Sequence, residues 1–506
     1  MHQKKLKEFL QRRHPEFKIK KSHWEFLEAS YDGGREWFEP NIFQYIKEGK
    51  EEHADRLIRA YRFNHTREVV DLVDKHLFKQ EIFRSEDAPE SVKRFWLSAT
   101  MNSLGIKDFM RRASNGSSIF GRIWIVVDTT HVGQPISIKE EKKQKIRTYA
   151  YTVSPKNALD MSYDEYGDLN WILINEQVRD DEDPIESSGE LVERFRLWTR
   201  NEWTLFTLRK EGRKVVVDQD GPYRHGLGVV PVFAADNVIS DEPYSSSALI
   251  DDVAYMDRAV ANYLSNLDAI IQDQTFSQLV IPSQSIPPED QDDIRGALVT
   301  MGTKRVFTYD GADGGKPFYL SPDVKQAELI ITVINKIIGE IYHTVGLAGE
   351  RTKDDNSQGI DNSSGVAKAY DFERVNSLLA AKADSLEVVE NKLAWLVAKW
   401  NGEDIAPEAR LVSYPDNFDT RSLYDEFEIS ARLSLIEAPD LVRRRQMEML
   451  IDKLFPKIKA ELREKMLSEL QSWPPKIEEV EGATGKGTIA KEGKNSLANK
   501  LVKGKK

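Results

Sequence analysis

Three stretches of this 506-residue chain, and its scattered histidines, hold side chains whose types could do chemistry. GATGKGT, residues 482–488, has the glycines and lysine of a phosphate-cradling loop. That loop needs a fixed glycine spacing, a preceding strand and a hydroxyl residue directly after the lysine, and here Gly487 follows Lys486. No nucleotide site is expected there. The nine histidines include no His-Glu-x-x-His arrangement, and His53, His65 and His76 are too widely spaced to share one helix face as metal ligands. NGSSIFG, 115–121, lacks the glycine spacing of a nucleophile elbow and reads as a helix-to-strand loop. DDEDP, 180–184, concentrates carboxylates, yet consecutive acids ahead of a proline mark an exposed turn. With no cysteine there is no thiolate nucleophile, disulfide or thiolate metal ligand. No catalytic, cofactor-binding or metal-binding residue is therefore expected, and no enzyme.

The elements that would position any site read as α+β, mainly helical. At this length more than one domain is the default. A 40% hydrophobic content supports sizeable cores, while 31% charged residues and a mean hydropathy of -0.53 point to a water-exposed surface. No apolar run is long enough to span a bilayer, so no membrane contact is expected, and the basic start lacks the apolar core of a secretion signal. A net charge of -11 opposes tight clamping of nucleic-acid phosphates by the surface as a whole.

After a basic arm read as extended, 1–23, residues 23–80 have helical periodicity, with Leu57, Tyr61 and Asn64 one turn apart and YDGG, 31–34, as a break. Helix continues over 90–115, and GRIWIVVD, 121–128, reads as a buried strand. From Arg147 to about Ala235 the period is two, with a hairpin between ELVERFRLWTR and EWTLFTLRK. The stretch 245–281 returns to helical spacing through Leu249, Val253, Met256, Val260, Leu264, Leu267 and Ile271, with upstream serines as caps. A turn-rich insert containing KRVFTYD follows, and then a helix striped by Ile330, Ile334, Ile337, Ile341 and Val345. A polar segment, 349–365, separates that helix from a longer one, Val366 to Trp400. Further helix runs from about Ala438 to a stop at WPP, 473–475; the end of the chain has seven lysines against one glutamate after Gly485 and little to bury.

Two long helices flanking a small insert make a stalk. Its apolar residues lie on more than one side, which calls for neighbouring subunits. In this order the segments YDGG with RLIRAYRFNHTREVVDLVDKHLF, then GRIWIVVD, HGLGVVPV, SSSALIDDVAYMDRAVANYLSNLDAIIQDQTFSQLVI and SSGVAKAYDFERVNSLLAAKADSLEVVE resemble the portal proteins of tailed bacteriophages over roughly 24–475. The resemblance implies a portal-like fold: a wing (24–240), a first stem helix within 241–272, a β-containing clip (273–322), a second stem helix (323–346), a tunnel loop (347–365), a long helix and wing return (366–434), a helical crown (435–475) and a lysine-rich tail (476–506). It implies a structural protein of the virion, assembled in the host cytoplasm, forming a homo-oligomeric ring of about twelve subunits at one capsid vertex. Such a ring is the channel for genome packaging and DNA ejection. Double-stranded DNA in transit, the terminase motor, head-completion or adaptor proteins, and major capsid and scaffolding proteins would be its partners, with no cofactor.

Carried onto this chain, the tunnel loop presents Glu350, Arg351, Lys353, Asp354, Asp355, Asn356, Gln358 and Asp361 to the DNA. From Glu350 to Asp361 there are four acidic and two basic residues, and a net negative loop keeps contact with DNA brief. Arg295, Lys304, Arg305 and Lys316 are the clip's docking candidates; Arg443, Arg444 and Arg445 are the crown's. The same helices would equally serve a non-portal ring or scaffold protein that uses them only to oligomerise.

Overall fold

Apolar residues at helical spacing build the first part of the chain: α1 (His2–Gln11), α2 (Pro15–Asp32), the short α3 (Phe38–Asn41), α4 (Lys50–Arg59) and α5 (His65–Leu77). The computed structural model describes residues 2–46, 48–130, 147–181, 183–211, 214–274, 278–282, 307–309, 315–320, 325–347, 365–416, 418, 441, 442, 444, 445, 447, 448, 451 and 460–471. The chain divides into two compact units, 1–418 and 419–506. The expectation of mixed helix and sheet holds in the first. The basic start, however, is helix rather than an extended arm, because Leu6 and Leu10 in α1 and Phe17, Trp24 and Leu27 in α2, each set at helical spacing within its own helix, pack into the main core. The helical reading across Leu57, Tyr61 and Asn64 also fails. Residues 60–64 leave the helix, Tyr61 is 45% exposed, and Asn64 caps α5 by accepting from the Arg67 N–H at 2.9 Å.

A short strand β1 (Phe83–Arg84), α6 (Glu90–Leu97) and α7 (Ile106–Phe120) follow. The NGSSIFG segment is the last turns of α7 and not a loop, since Ser114, Ser117 and Ser118 spend their hydroxyls inside the helix or on buried neighbours. Gly121 ends it with a φ of +80°, where an added Cβ would lie 1.9 Å from the Ser246 carbonyl oxygen. Only glycine fits that approach. The chain then enters β2 (Arg122–Thr129), the middle strand of a three-stranded antiparallel sheet between β3 (Thr148–Val153) and β9 (Val232–Asp236). A five-stranded antiparallel meander lies in the sequence between those partners: β4 (Ala158–Tyr163), β5 (Leu169–Arg179), β6 (Leu191–Thr199), β7 (Glu202–Glu211) and β8 (Lys214–Arg224). The β6–β7 hairpin read from the period of two is present, with Trp198 opposite Trp203.

Helical spacing resumes in α8 (Val253–Gln274), then comes a small sheet of β10 (Gln278–Pro282), β11 (Phe307–Tyr309) and β12 (Phe318–Leu320), then α9 (Lys325–Thr344). The expected helix over 245–281 is therefore shorter at both ends. Residues 249–252 form a turn, and Ser245 donates to Glu16 instead of capping the helix. After α8 the β-branched and apolar LVI run enters the sheet. In α10 (Gly365–Trp400) Leu379, Leu386, Leu393 and Val397 join the main core, and β13 (Val412–Ser413) pairs with β1. In the second unit residues 441, 442, 444, 445, 447, 448 and 451 are helical, and α11 (Ala460–Gln471) follows.

Candidate functional site

Length and placement single out α8 and α9. At 1.5 Å per residue their 22 and 20 residues span about 33 Å and 30 Å. Val260 and Leu264 of α8 and Ile334, Ile338 and Ile341 of α9 belong to one buried cluster, and the helices pack on each other. The amino-terminal part of α8 and the carboxy-terminal part of α9 both meet the start of α5, so the pair runs antiparallel. At the other end the chain leaves α8 through β10 and returns to α9 through β12, which lie antiparallel with Val280 opposite Phe318. β11 runs parallel to β10 on its other edge.

The root of this helix pair is polar and buried. Asp257 of α8, with no exposed surface, accepts from the Thr66 N–H at 3.2 Å and its hydroxyl at 2.8 Å, and lies 3.8 Å from the Arg62 guanidinium. Arg62 in turn sits 3.9 Å from the Trp37 ring centre. Burial pushes the Asp257 carboxyl above the usual range, and Arg62 opposes that shift. From α9, Tyr342 donates to Glu68 and has its hydroxyl 3.0 Å from His65 Nδ1. Both helices are thereby tied to α5 through hydrogen bonds that need their partners in one register.

A second polar cluster holds α10. Lys382 Nζ donates within 3.1 Å to the Ser114 carbonyl, within 2.9 Å to the Ser117 and Ser118 hydroxyls and at 2.7 Å to Asn237 Oδ1. Serine next to lysine is a nucleophile–base pairing in some hydrolases. Here Ser114, Ser117 and Ser118 have no exposed surface and Lys382 only 3%, so no substrate reaches the hydroxyls and the pairing serves packing. Burial pushes the ammonium down to about 7, and Asp74, whose carboxylate accepts from Ser114 at 2.6 Å, opposes the shift. Two turns on, Glu390 is buried against Arg84 at 2.7 Å and accepts from Tyr414 at 2.7 Å. Neither cluster was anticipated from the sequence. The available signal was position: Lys382 and Glu390 fall on the apolar stripe of Leu379, Leu386 and Leu393, where a charge has to be paired.

Of the residues expected to act, Lys316 is exposed near the small sheet, while Arg295, Lys304 and Arg305 lie outside the described residues. All eight tunnel-loop candidates, Glu350 through Asp361, also lie outside them, as do Arg443 and the lysine-rich tail. Arg444 is half-buried, and Arg445 is exposed and pairs with Glu448 at 2.8 Å. The DDEDP turn is as read: the Asp183 carboxylate accepts from the Ile185 and Glu186 N–H groups, and Asp180 from Ser188. Among the described residues no group of three or more His, Asp or Glu is arranged to hold a metal, and no helix is long and apolar enough to cross a membrane.

No family model and no curated protein matches the chain. Solved structures with some similarity include the neck of an empty gene transfer agent (GTA) particle, at 10% identity and a TM-score of 0.38, covering 75% of this chain and 89% of that one. The virion of a native GTA particle gives 10% identity and 0.37, over 75% and 89%. The neck of a native GTA particle, treated with twelvefold symmetry, gives 10% and 0.37, over 76% and 89%. Superpositions this loose fix neither the fold nor a role.

Proposed function

We propose that the chain is a portal-type subunit: a structural, ring-forming conduit for double-stranded DNA at one vertex of a phage-like particle. The observation that carries this reading is the antiparallel pair α8 and α9 bearing a small sheet between them, rooted in the body and still displaying apolar side chains outward. Leu329 of α9, 64% exposed, lies on the side away from the Ile334, Ile338 and Ile341 stripe, and Ile331, at the sheet end of that stripe, is still 45% exposed. An isolated subunit would leave them in water, whereas a neighbouring copy would cover them.

In this reading α8 and α9 are the stem, and the segment 273–322 with Lys316 is the clip that docks the motor and adaptor proteins. The polar segment 347–365 faces the channel, and Arg443, Arg444 and Arg445 belong to the crown. The acidic balance of the whole chain suits a conduit, because each phosphate neutralised by the wall would add salt-sensitive affinity and slow the passage of DNA. The mass of the purified particle tests the proposal. We expect a multiple of the 58.0 kDa subunit and, by electron microscopy, a ring whose channel admits duplex DNA. A monomer at micromolar concentration, or a solid particle, rejects it.

A further inference from the structure

Among the described residues, the strand β9 sits at the edge of its sheet and pairs with β2 alone. Asn237 donates to the Gly121 carbonyl and Val127 to that of Pro231, which sets the alternation of an antiparallel ladder. Residues 231, 233, 235 and 237 exchange bonds with β2. Val232 and Ala234, between them, aim their N–H and C=O groups away from β2, where Val232 is buried and Ala234 half-buried beside α10. The next outward group, the Asp236 carbonyl, is capped by the Ser385 hydroxyl of α10 at 2.8 Å. Val232 and Ala234 instead border a cavity of about 690 Å³. A strand edge of this kind is a template for another strand unless its donors and acceptors are satisfied.

The cavity also has a sign. Arg122 holds Asp236 at 2.5 Å and Arg200 holds Asp164 at 2.5 Å, which cancels those charges. Glu165, Asp168, Asp241 and Glu242 remain on the rim, exposed and without an ion pair among the described residues. Against them stands Lys392, whose Nζ lies 5.5 Å from the Phe233 ring centre. Four carboxylates against one ammonium leave the rim net negative, while Phe233 and Trp395 supply an apolar wall.

We propose that this cleft is a strand-addition site for an extended lysine- or arginine-bearing segment of another polypeptide. The segment pairs its backbone with Val232 and Ala234, sets alternate apolar side chains against Phe233 and Trp395, and points its cations at the acidic rim. Backbone pairing supplies affinity, and the rim selects the sign. The site is a feature of a single subunit and does not depend on ring formation.

Three short, end-blocked, labelled peptides test it by fluorescence anisotropy against the full-length protein. One alternates lysine and valine, one is the same peptide with alternate backbone amides N-methylated, and one has glutamate in place of lysine. The lysine–valine peptide is expected to bind saturably. N-methylation removes backbone donors and is expected to weaken binding by about tenfold or more; the glutamate peptide should not bind. Ala234→Pro deletes the outward N–H without touching the β2 ladder and should abolish binding at an unchanged melting temperature. Should that variant fail to fold, the doubly neutralised Glu165→Gln, Asp168→Asn protein serves instead, with weaker binding and a shallower salt dependence expected. Equal binding of the N-methylated peptide, binding of the glutamate peptide, or no binding at all would each overturn the proposal. The last outcome would mean that the edge is closed by this chain's own covering of α10 and the 239–243 loop.

Discussion

At the scale of single residues, the most consequential group is Lys382. Three ammonium protons face four acceptors, and all four acceptors belong to α7 or to Asn237, so one side chain fixes the depth and rotation of α10 against both. Replacing it with methionine keeps the volume and the apolar stem but strands those acceptors. The expected loss is about 1–3 kcal/mol of stability near neutral pH. The dependence on pH has a definite sign. A folded pKa near 7, below the ordinary lysine value of 10.5, means that the unfolded chain binds more protons through the interval between them. Stability of the native protein should therefore rise from pH 7 toward pH 10 and level off below 7, where folded and unfolded chains both hold the proton. Lys382→Met lacks this component. Thermal melts of both proteins across that interval should diverge in favour of the native protein as pH rises; a constant gap would show that the buried ammonium keeps its ordinary pKa.

The elements were more legible than the contacts that hold them. The periods of α5, α8, α9 and α10 stand in the spacing around Val69, Leu264, Ile334 and Leu386, because one buried stripe per helix is a local property of the chain. Which helices share a polar root is not local. Nothing near Asp257 in the sequence points to Thr66 or Arg62, about 190 residues earlier, and the pairing exists only once α5 and α8 are packed. Residues 60–64 were misread for the same reason. Tyr61 and Asn64 continue the helical rhythm of Leu57, but Asn64 gains more as a cap, and its amide also reaches the Tyr31 carbonyl at 3.0 Å. The expected docking and channel residues were reached through resemblance, and most of them lie outside the described residues. The root yields a prediction for the element as a whole. Asp257→Ala leaves the Thr66 N–H and hydroxyl without their acceptor and the buried Arg62 guanidinium without its facing charge, at an expected cost of about 3–5 kcal/mol. Hydrogen exchange should then quicken in the amino-terminal half of α8 and at the start of α5, with the β4–β8 meander unchanged. Uniform quickening across both would mean that α8 has no separate root and unfolds only with the whole unit.

For the whole molecule, the question is whether the apolar outer side of α9 belongs inside an assembly. A charged residue at an exposed site costs a single subunit little, whereas the same residue sealed in a subunit interface without a partner costs several kcal/mol. Repeated around a closed ring, that difference acts at every interface. The variant Leu329→Glu separates the two situations, because this side chain is already largely in water within one subunit. Its melting temperature as an isolated chain should match that of the native subunit, and its mass in solution should fall to 58.0 kDa. Lowering pH toward 4 protonates a large share of the introduced glutamate and should restore part of the assembly, a recovery that a misfolded variant would not show. If the rings persist in the Leu329→Glu variant at neutral pH, the outer side of α9 is not the interface. The portal reading would then have to place subunit contact elsewhere on the unit formed by residues 1–418.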